Sequence, residues 1–93
     1  MHGLAKHAPL VPTLGADYLS LTMITPEQCR AARAWLLLSQ ADLAAIAGVS
    51  EVTIRKFERK EGSPMRGTVL LIHTAIERLG FELPDNGLMW RKA

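Results

Sequence analysis

The residues with the clearest chemical potential are five basic side chains that fall within twelve positions. They make up almost half of the eleven lysines and arginines of this 93-residue chain: Arg55, Lys56, Arg59, Lys60 and Arg66. Guanidinium and ammonium groups bind phosphates and the acceptor atoms of base edges. Glu51, Glu58 and Glu61 dilute the charge of this stretch, and the net charge of the chain is only +2. The cluster therefore fits a selective contact with a polyanion better than a non-specific coating.

No other combination of reactive residue types predicts catalysis or metal binding. His2, His7 and His73 have no ligand spacing with one another or with Cys29, and no glycine-rich phosphate loop is present. We therefore predict no enzyme, no metal and no cofactor. The single cysteine excludes an internal disulfide and is expected in the core. No apolar run approaches the ~20 residues that span a bilayer, so we also expect no membrane contact.

The elements that position the basic cluster begin with strong helix-start signals. Thr25, Ser39 and Ser50 each have the side chain of an N-cap, and Gln28 and Asp42 stand three residues after the first two caps. Pro26 at the first helical position strengthens the first start. These signals predict three helices, over 26–37, 40–47 and 51–60.

A fourth helix is predicted over 67–79, followed by a very short strand. Four apolar residues recur there at helical spacing and should face the core: Val69, Ile72, Ile76 and Leu79. Leu71 and Ala75 should lie on another face and leave apolar surface uncovered. Residues 81–83 alternate like a strand. They are predicted either to pair across a two-fold axis or to form an extended tail.

Composition divides the chain into three parts. Residues 1–22 are interrupted by proline and glycine and show no lasting period, so we expect a flexible N-terminal extension. A DNA-wrapping arm and a short helix that covers the core are the alternatives. Residues 23–81 should form the folded domain. Residues 82–93 should form a C-terminal tail that contacts a dimer mate or another partner.

The turn Gly48-Val49-Ser50 between the second and third helices predicts a helix-turn-helix. Gly48 can adopt the left-handed conformation that ends a helix. Ala44 is small enough to lie where the two helices cross. Ile54 and Phe57 supply a buried face to the second of them at helical spacing.

With its flanks, this segment resembles the phage-repressor type of helix-turn-helix, the xenobiotic-response-element family. The resemblance runs from about Thr25 to about Phe81. It includes the sequence Leu38-Ser39-Gln40 before the motif and Phe57-Glu58 with Gly62-Ser63-Pro64 after it. It implies an all-α fold, a compact four- to five-helix lambda-repressor-like bundle, and binding of double-stranded DNA in a bacterial cytoplasm, at the nucleoid.

The resemblance also implies which residues contact DNA: Gln40, Ser50, Glu51, Val52, Arg55, Lys56 and Arg59. The second helix of the motif enters the major groove. There Glu51, Val52 and Lys56 would meet base edges, through cytosine N4, a thymine methyl and guanine O6 or N7. Arg55 and Arg59 would hold phosphates, and Gln40 would meet a phosphate at its helix N-terminus.

Each of these assignments has a simpler alternative. Glu51 could favour its helix dipole, the basic residues could form an ordinary solvated face, and Gln40 could merely begin its helix. Arg33 and Glu58 are interpreted as structural, because the family often joins these positions by a salt bridge that sets the angle of the recognition helix.

Departures from the family pattern indicate a further surface. The family often has glycine at the position of Leu37, and the run Trp35-Leu36-Leu37-Leu38 is too bulky to face one core. Trp35 or Leu37 is therefore expected at the surface as a contact for a protein partner, and Trp90 could serve likewise.

Three functions follow from these observations. The leading prediction is a transcriptional regulator, a repressor that binds a palindromic operator as a homodimer. The second is the antitoxin of a toxin–antitoxin pair that regulates its own operon, with a terminal segment bound to the toxin. The third is a protein-interaction module that keeps the fold without binding DNA.

Overall fold

The computed structural model describes residues 23–85 and 87–91, which fold into four helices and one small sheet. The helices are α1 (Pro26–Leu36), α2 (Gln40–Ala47), α3 (Glu51–Glu58) and α4 (Arg66–Arg78). The strands are β1 (Phe81–Glu82) and β2 (Met89–Trp90). The predicted helical bundle with a short C-terminal strand is therefore confirmed. The expectations for residues 1–22 lie outside the described residues.

The N-termini of the first three helices are closed by side chains, as the sequence predicts. The Thr25 hydroxyl accepts from the Gln28 N–H at 3.1 Å, and Gln28 Oε1 accepts from the Thr25 N–H at 2.9 Å. Ser39 and Asp42 form the same reciprocal pair at 2.9 and 3.0 Å. Ser50 accepts from the Thr53 N–H at 3.1 Å. These bonds satisfy backbone N–H groups that otherwise have no partner in the first turn of a helix.

Two helices end earlier than predicted because non-glycine residues take the left-handed conformation after them. Leu37 has φ +58° and Lys60 has φ +61°. After α1, the Leu38 N–H donates to the Arg33 carbonyl at 2.9 Å. After α3, the Glu61 N–H donates to the Lys56 carbonyl at 2.9 Å. Each pattern is a Schellman motif, which closes the last turn of a helix and redirects the chain.

The core lies between the four helices and β1. Its largest fully buried side chains come from all four helices: Cys29, Leu43, Ile54, Ile72 and Ile76. Ala75 is also buried, at 3% exposure, so its expected place on an uncovered face is wrong. The helix α4 packs against α2, α1 and β1, and these neighbours widen its buried stripe beyond a single row. Leu71 remains exposed, as expected.

Strand β1 finds its partner within the same chain rather than across a two-fold axis. Phe81 pairs with Trp90 and Glu82 with Met89, in antiparallel register. The Trp90 ring contacts Phe81 edge-on at 4.8 Å between centroids, and it lies 6.3 Å from the Trp35 ring. Gln28 Nε2 donates to the carbonyls of Pro84 and Gly87 at 2.6 and 2.7 Å. Strands β1 and β2 thus form a hairpin that is held on α1.

None of the helices in residues 23–85 and 87–91 combines the length and the apolar character that crossing a membrane requires.

Candidate nucleic-acid interface

The tight turn between α2 and α3 sets the geometry of the candidate interface. Gly48 has φ +79°, and the N–H groups of Gly48 and Val49 both donate to the Ala44 carbonyl, at 2.9 and 3.0 Å. Ala44 is buried under the turn. Ile54 and Phe57 are buried on the inner face of α3. The opposite face of α3 is therefore held outward, at a defined angle to α2.

The outward face of α3 carries most of the residues predicted to contact DNA. Glu51, Val52 and Lys56 are exposed, and Arg55 is half-buried. Arg59 follows the last residue of α3, and its side chain is 65% exposed. These positions recur at helical spacing, so their side chains share one surface. We call this set, Glu51, Val52, Arg55, Lys56 and Arg59, the α3 outer face.

The charges on the α3 outer face are unevenly compensated. Arg59 Nη1 lies 3.6 Å from Glu61 Oε2, an exposed pair that costs little to open. Lys60 turns away from the outer face and contacts Glu27 of α1 at 2.6 Å. Within residues 23–85 and 87–91, no carboxylate forms an ion pair with Arg55 or Lys56. These two cations are therefore the ones best placed to meet a polyanion.

A groove between α3 and the start of α4 extends the α3 outer face. Thr53 and Lys56 line one side of it, and Ser63, Met65 and Thr68 line the other. Hydroxyl groups and an ammonium group can all donate to a phosphate. The sequence did not single out Thr53 or Thr68 for this surface, because a half-buried threonine carries no positional signal of its own.

The side chains of Ser50 and Gln40 both form hydrogen bonds with other residues of the protein. The Ser50 hydroxyl caps α3 and lies 2.8 Å from the Thr53 hydroxyl. Gln40 is half-buried at the start of α2, and its Nε2 donates to Glu58 Oε1 at 3.1 Å. An amide nitrogen carries two hydrogens. One hydrogen of Gln40 thus remains for a contact outside the molecule.

Glu58, at the end of α3, is the centre of a buried hydrogen-bond network. Arg33 Nε donates to Glu58 Oε2 and Arg33 Nη2 to Glu58 Oε1, both at 2.7 Å. Cys29 Sγ lies 3.1 Å from Oε2 and donates to it. The Glu58 side chain is only 2% exposed. A buried carboxylate with this many donors joins α1, α2 and α3 at one point.

The network shifts the pKa values of its members in opposite directions. Burial alone would raise the pKa of Glu58, but the hydrogen bonds from Arg33, Cys29 and Gln40 outweigh burial, so the pKa lies below its ordinary value. Burial and the neighbouring carboxylate raise the pKa of the Cys29 thiol far above its ordinary value. The bond to Glu58 raises the pKa of Arg33. Glu58 is therefore ionised and Cys29 is a neutral thiol at neutral pH.

Two apolar side chains near the end of α1 are largely exposed. Trp35 is 64% exposed and Leu37 is 90% exposed, as the departures from the family pattern led us to expect. They lie at the end of α1 and are separate from the α3 outer face.

In the described residues, no group of three or more histidine, cysteine, aspartate or glutamate side chains could hold a metal ion.

Comparison with known families agrees with this geometry. The family model described as helix-turn-helix matches residues 30–78, which is more than half of the chain. The chain belongs to the helix-turn-helix family. The predicted resemblance to its xenobiotic-response-element type is confirmed. A search of curated proteins found no match. The helix-turn-helix family is a family of DNA-binding regulatory domains, and α2 and α3 are the two helices of the motif in this chain.

Proposed function

We propose that this helix-turn-helix protein is a sequence-specific repressor that binds a palindromic operator as a homodimer. The observation that carries the proposal is the α3 outer face, because it combines a carboxylate, an apolar side chain and free cations on a helix with a fixed angle. Such a protein acts on nucleoid DNA in the bacterial cytoplasm. Occupation of promoter DNA would be enough to repress transcription.

Base readout is assigned to the first turns of α3. Glu51 accepts from cytosine N4, Val52 packs on a thymine methyl, and Lys56 donates to guanine O6 or N7. An acidic residue is repelled by phosphates, so Glu51 contributes only where a cytosine amino group meets it. This pattern favours discrimination between sequences over affinity for DNA in general.

Phosphate contacts position α3 in the groove. Arg55 and Arg59 supply guanidinium groups beside the base-reading residues, and Gln40 supplies its second amide hydrogen together with the N-terminus of α2. Ser50 is assigned to this rim as well, since its hydroxyl lies at the exposed start of α3.

A homodimer follows from the size of one recognition helix. A single helix reads only a few base pairs, whereas two helices about one DNA turn apart reach useful specificity. Because the two copies are related by a two-fold axis, the operator should be palindromic.

The test measures binding to DNA from the protein's own promoter region, over a salt series, for the wild type and Lys56→Ala. Arg78→Ala is the matched control, since it removes one positive charge from the last turn of α4, beside the hairpin. We expect tight, sequence-selective binding that weakens steeply with salt, falls in Lys56→Ala and is retained in Arg78→Ala. Weak binding without sequence preference would reject the proposal.

The exposed apolar side chains favour a second function, that of an antitoxin. Trp35, Leu37 and Trp90 offer apolar surface that a toxin could cover. Co-expression with the product of the adjacent gene tests this. A stable complex that still binds the promoter would support an antitoxin. A complex that persists at high salt, without any retention of DNA, would instead support the interaction module.

A further inference from the structure

The C-terminal end of α3 is held by a contact from α1 that neither base readout nor phosphate binding uses. The last four carbonyls of a helix have no partner within it. Three of those in α3 accept from backbone N–H groups of the following turn, at 2.9 to 3.1 Å: Arg55 from Arg59, Lys56 from Glu61 and Phe57 from Lys60. The fourth, the carbonyl of Glu58, accepts from Arg30 Nη1 at 2.7 Å.

Arg30 is the middle member of a row on α1 that faces the end of α3. Glu27, Arg30 and Arg33 are spaced by three residues, so they lie on one side of α1. Glu27 contacts Lys60, Arg30 binds the Glu58 backbone, and Arg33 binds the Glu58 side chain. The Glu27–Lys60 pair is exposed on both sides and is worth little. The two arginines therefore hold α3 at a single residue, through its backbone and its carboxylate.

We propose that Arg30 is a positioning residue for DNA recognition, which fixes the C-terminal end of α3 through the Glu58 carbonyl. This inference rests on the proposed function. A helix carbonyl points along the helix axis, so a bond to it restrains the tilt and the axial position of α3. The positive charge also lies at the helix end that favours it. Arg33 restrains a different motion of α3, because it binds the Glu58 side chain, which projects sideways from the helix axis.

The consequence for recognition follows from the length of α3, which has only eight residues. Ser50 and the turn hold its first end, and Arg30 and Arg33 hold its last. Lys56 lies two residues before Glu58, so a change in tilt displaces the ammonium group from the base edge that it reads. Displacements of about 1 Å are enough to lose a directed contact. Non-specific attraction to phosphates tolerates such displacements.

The experiment compares operator and random-sequence DNA, over a salt series, for the wild type, Arg30→Ala and Arg30→Lys. Arg78→Ala again serves as the control for charge. We expect Arg30→Ala to lower the ratio of operator to random-sequence affinity by roughly tenfold. The slope of log affinity against log salt concentration should stay unchanged, because no phosphate contact is lost. Arg30→Lys, which keeps a donor, should recover most of the ratio.

Amide hydrogen exchange in the free protein provides a readout that does not depend on DNA. In Arg30→Ala, the N–H groups of Arg59, Lys60 and Glu61 should lose protection, while those of α2 keep theirs. Global stability is followed by urea unfolding, so that a general loss of structure is recognised. If Arg30→Ala does not fold, Arg30→Gln, whose side chain is shorter and uncharged, takes its place in the comparison with Arg30→Lys.

Three results would overturn the inference. The first is a salt slope that falls by about one in Arg30→Ala, which would mark Arg30 as a phosphate contact. The second is a ratio of operator to random-sequence affinity that Arg30→Ala leaves unchanged although the wild type prefers the operator. This result rejects the inference but not the proposed function. The third is a wild type without operator preference, which rejects the proposed function together with the inference.

Discussion

At the scale of single residues, Leu37 occupies a backbone conformation that L-residues disfavour. Its φ of +58° follows from its place in the Schellman motif after α1, where glycine is the common residue. Its side chain is 90% exposed and gains little from burial. The strain at Leu37 is therefore not offset by burial of its side chain within the described residues.

Leu37→Gly should stabilise the protein, because glycine adopts this conformation without the clash of a Cβ. We expect the free energy of unfolding to rise by about 1 kcal/mol relative to Leu37→Ala, which removes the same apolar surface but keeps the strain. Urea unfolding of the two variants measures the difference. Equal stabilities would show that the left-handed conformation is not what limits this turn.

At the scale of elements, the Trp90 ring packs the two strands of the hairpin against each other and against the end of α4. Trp90 contacts Phe81 and approaches Trp35, and it also covers Gly80, where an added Cβ would lie 3.1 Å from the ring. Gly80 has φ +112°, so both its backbone and its neighbour require glycine. Two-residue strands have few ladder bonds, so the hairpin depends on this packing.

Trp90→Ala should therefore destabilise the hairpin and the core beneath it. We expect a loss of about 2 kcal/mol, less than for a fully buried tryptophan because the ring is 36% exposed. Met89→Ala is the control, since Met89 is the adjacent strand residue and is 54% exposed. Thermal unfolding followed by circular dichroism checks both. A loss in Met89→Ala as large as in Trp90→Ala would contradict the role of the ring.

At the scale of the whole molecule, the buried Glu58 carboxylate connects the helices of the motif to α1. Arg33 comes from α1, Gln40 from α2 and Glu58 from α3, so one hydrogen-bond network joins three helices. A buried pair is weak support for net stability, but loss of one partner leaves a buried charge. The orientation of α3 and the stability of the whole fold therefore both depend on the Glu58 carboxylate.

This connection predicts a loss of stability in acid. The pKa of Glu58 is lowered in the folded state, so its contribution is present above the ordinary glutamate value of about 4.3 and is lost as pH falls towards the folded pKa. We expect the stability difference between wild type and Glu58→Gln to shrink below about pH 4.3. Urea unfolding at several pH values measures it, with Glu61→Gln as the exposed control. A difference that stays constant with pH would contradict the prediction.

Much of the helical domain could be predicted from local signals. Thr25, Ser39 and Ser50 are N-caps in the structure, and the spacing of Ile54 and Phe57 correctly placed the inner face of α3. The α3 outer face is then the side of the helix opposite Ile54 and Phe57. Such signals are readable because caps and apolar periods act between residues only three or four positions apart.

The sequence by itself thus determined the helix-turn-helix and which face of α3 points outward, because these depend on neighbouring residues. Only the tertiary structure decided that β1 pairs with β2, that Ala75 is buried, and that Arg30 binds the Glu58 carbonyl. Each of these contacts depends on which elements meet in space. A bond from α1 to the backbone of α3 crosses 28 residues of chain, and any residue type can supply its acceptor carbonyl, so no pattern in the sequence marks it.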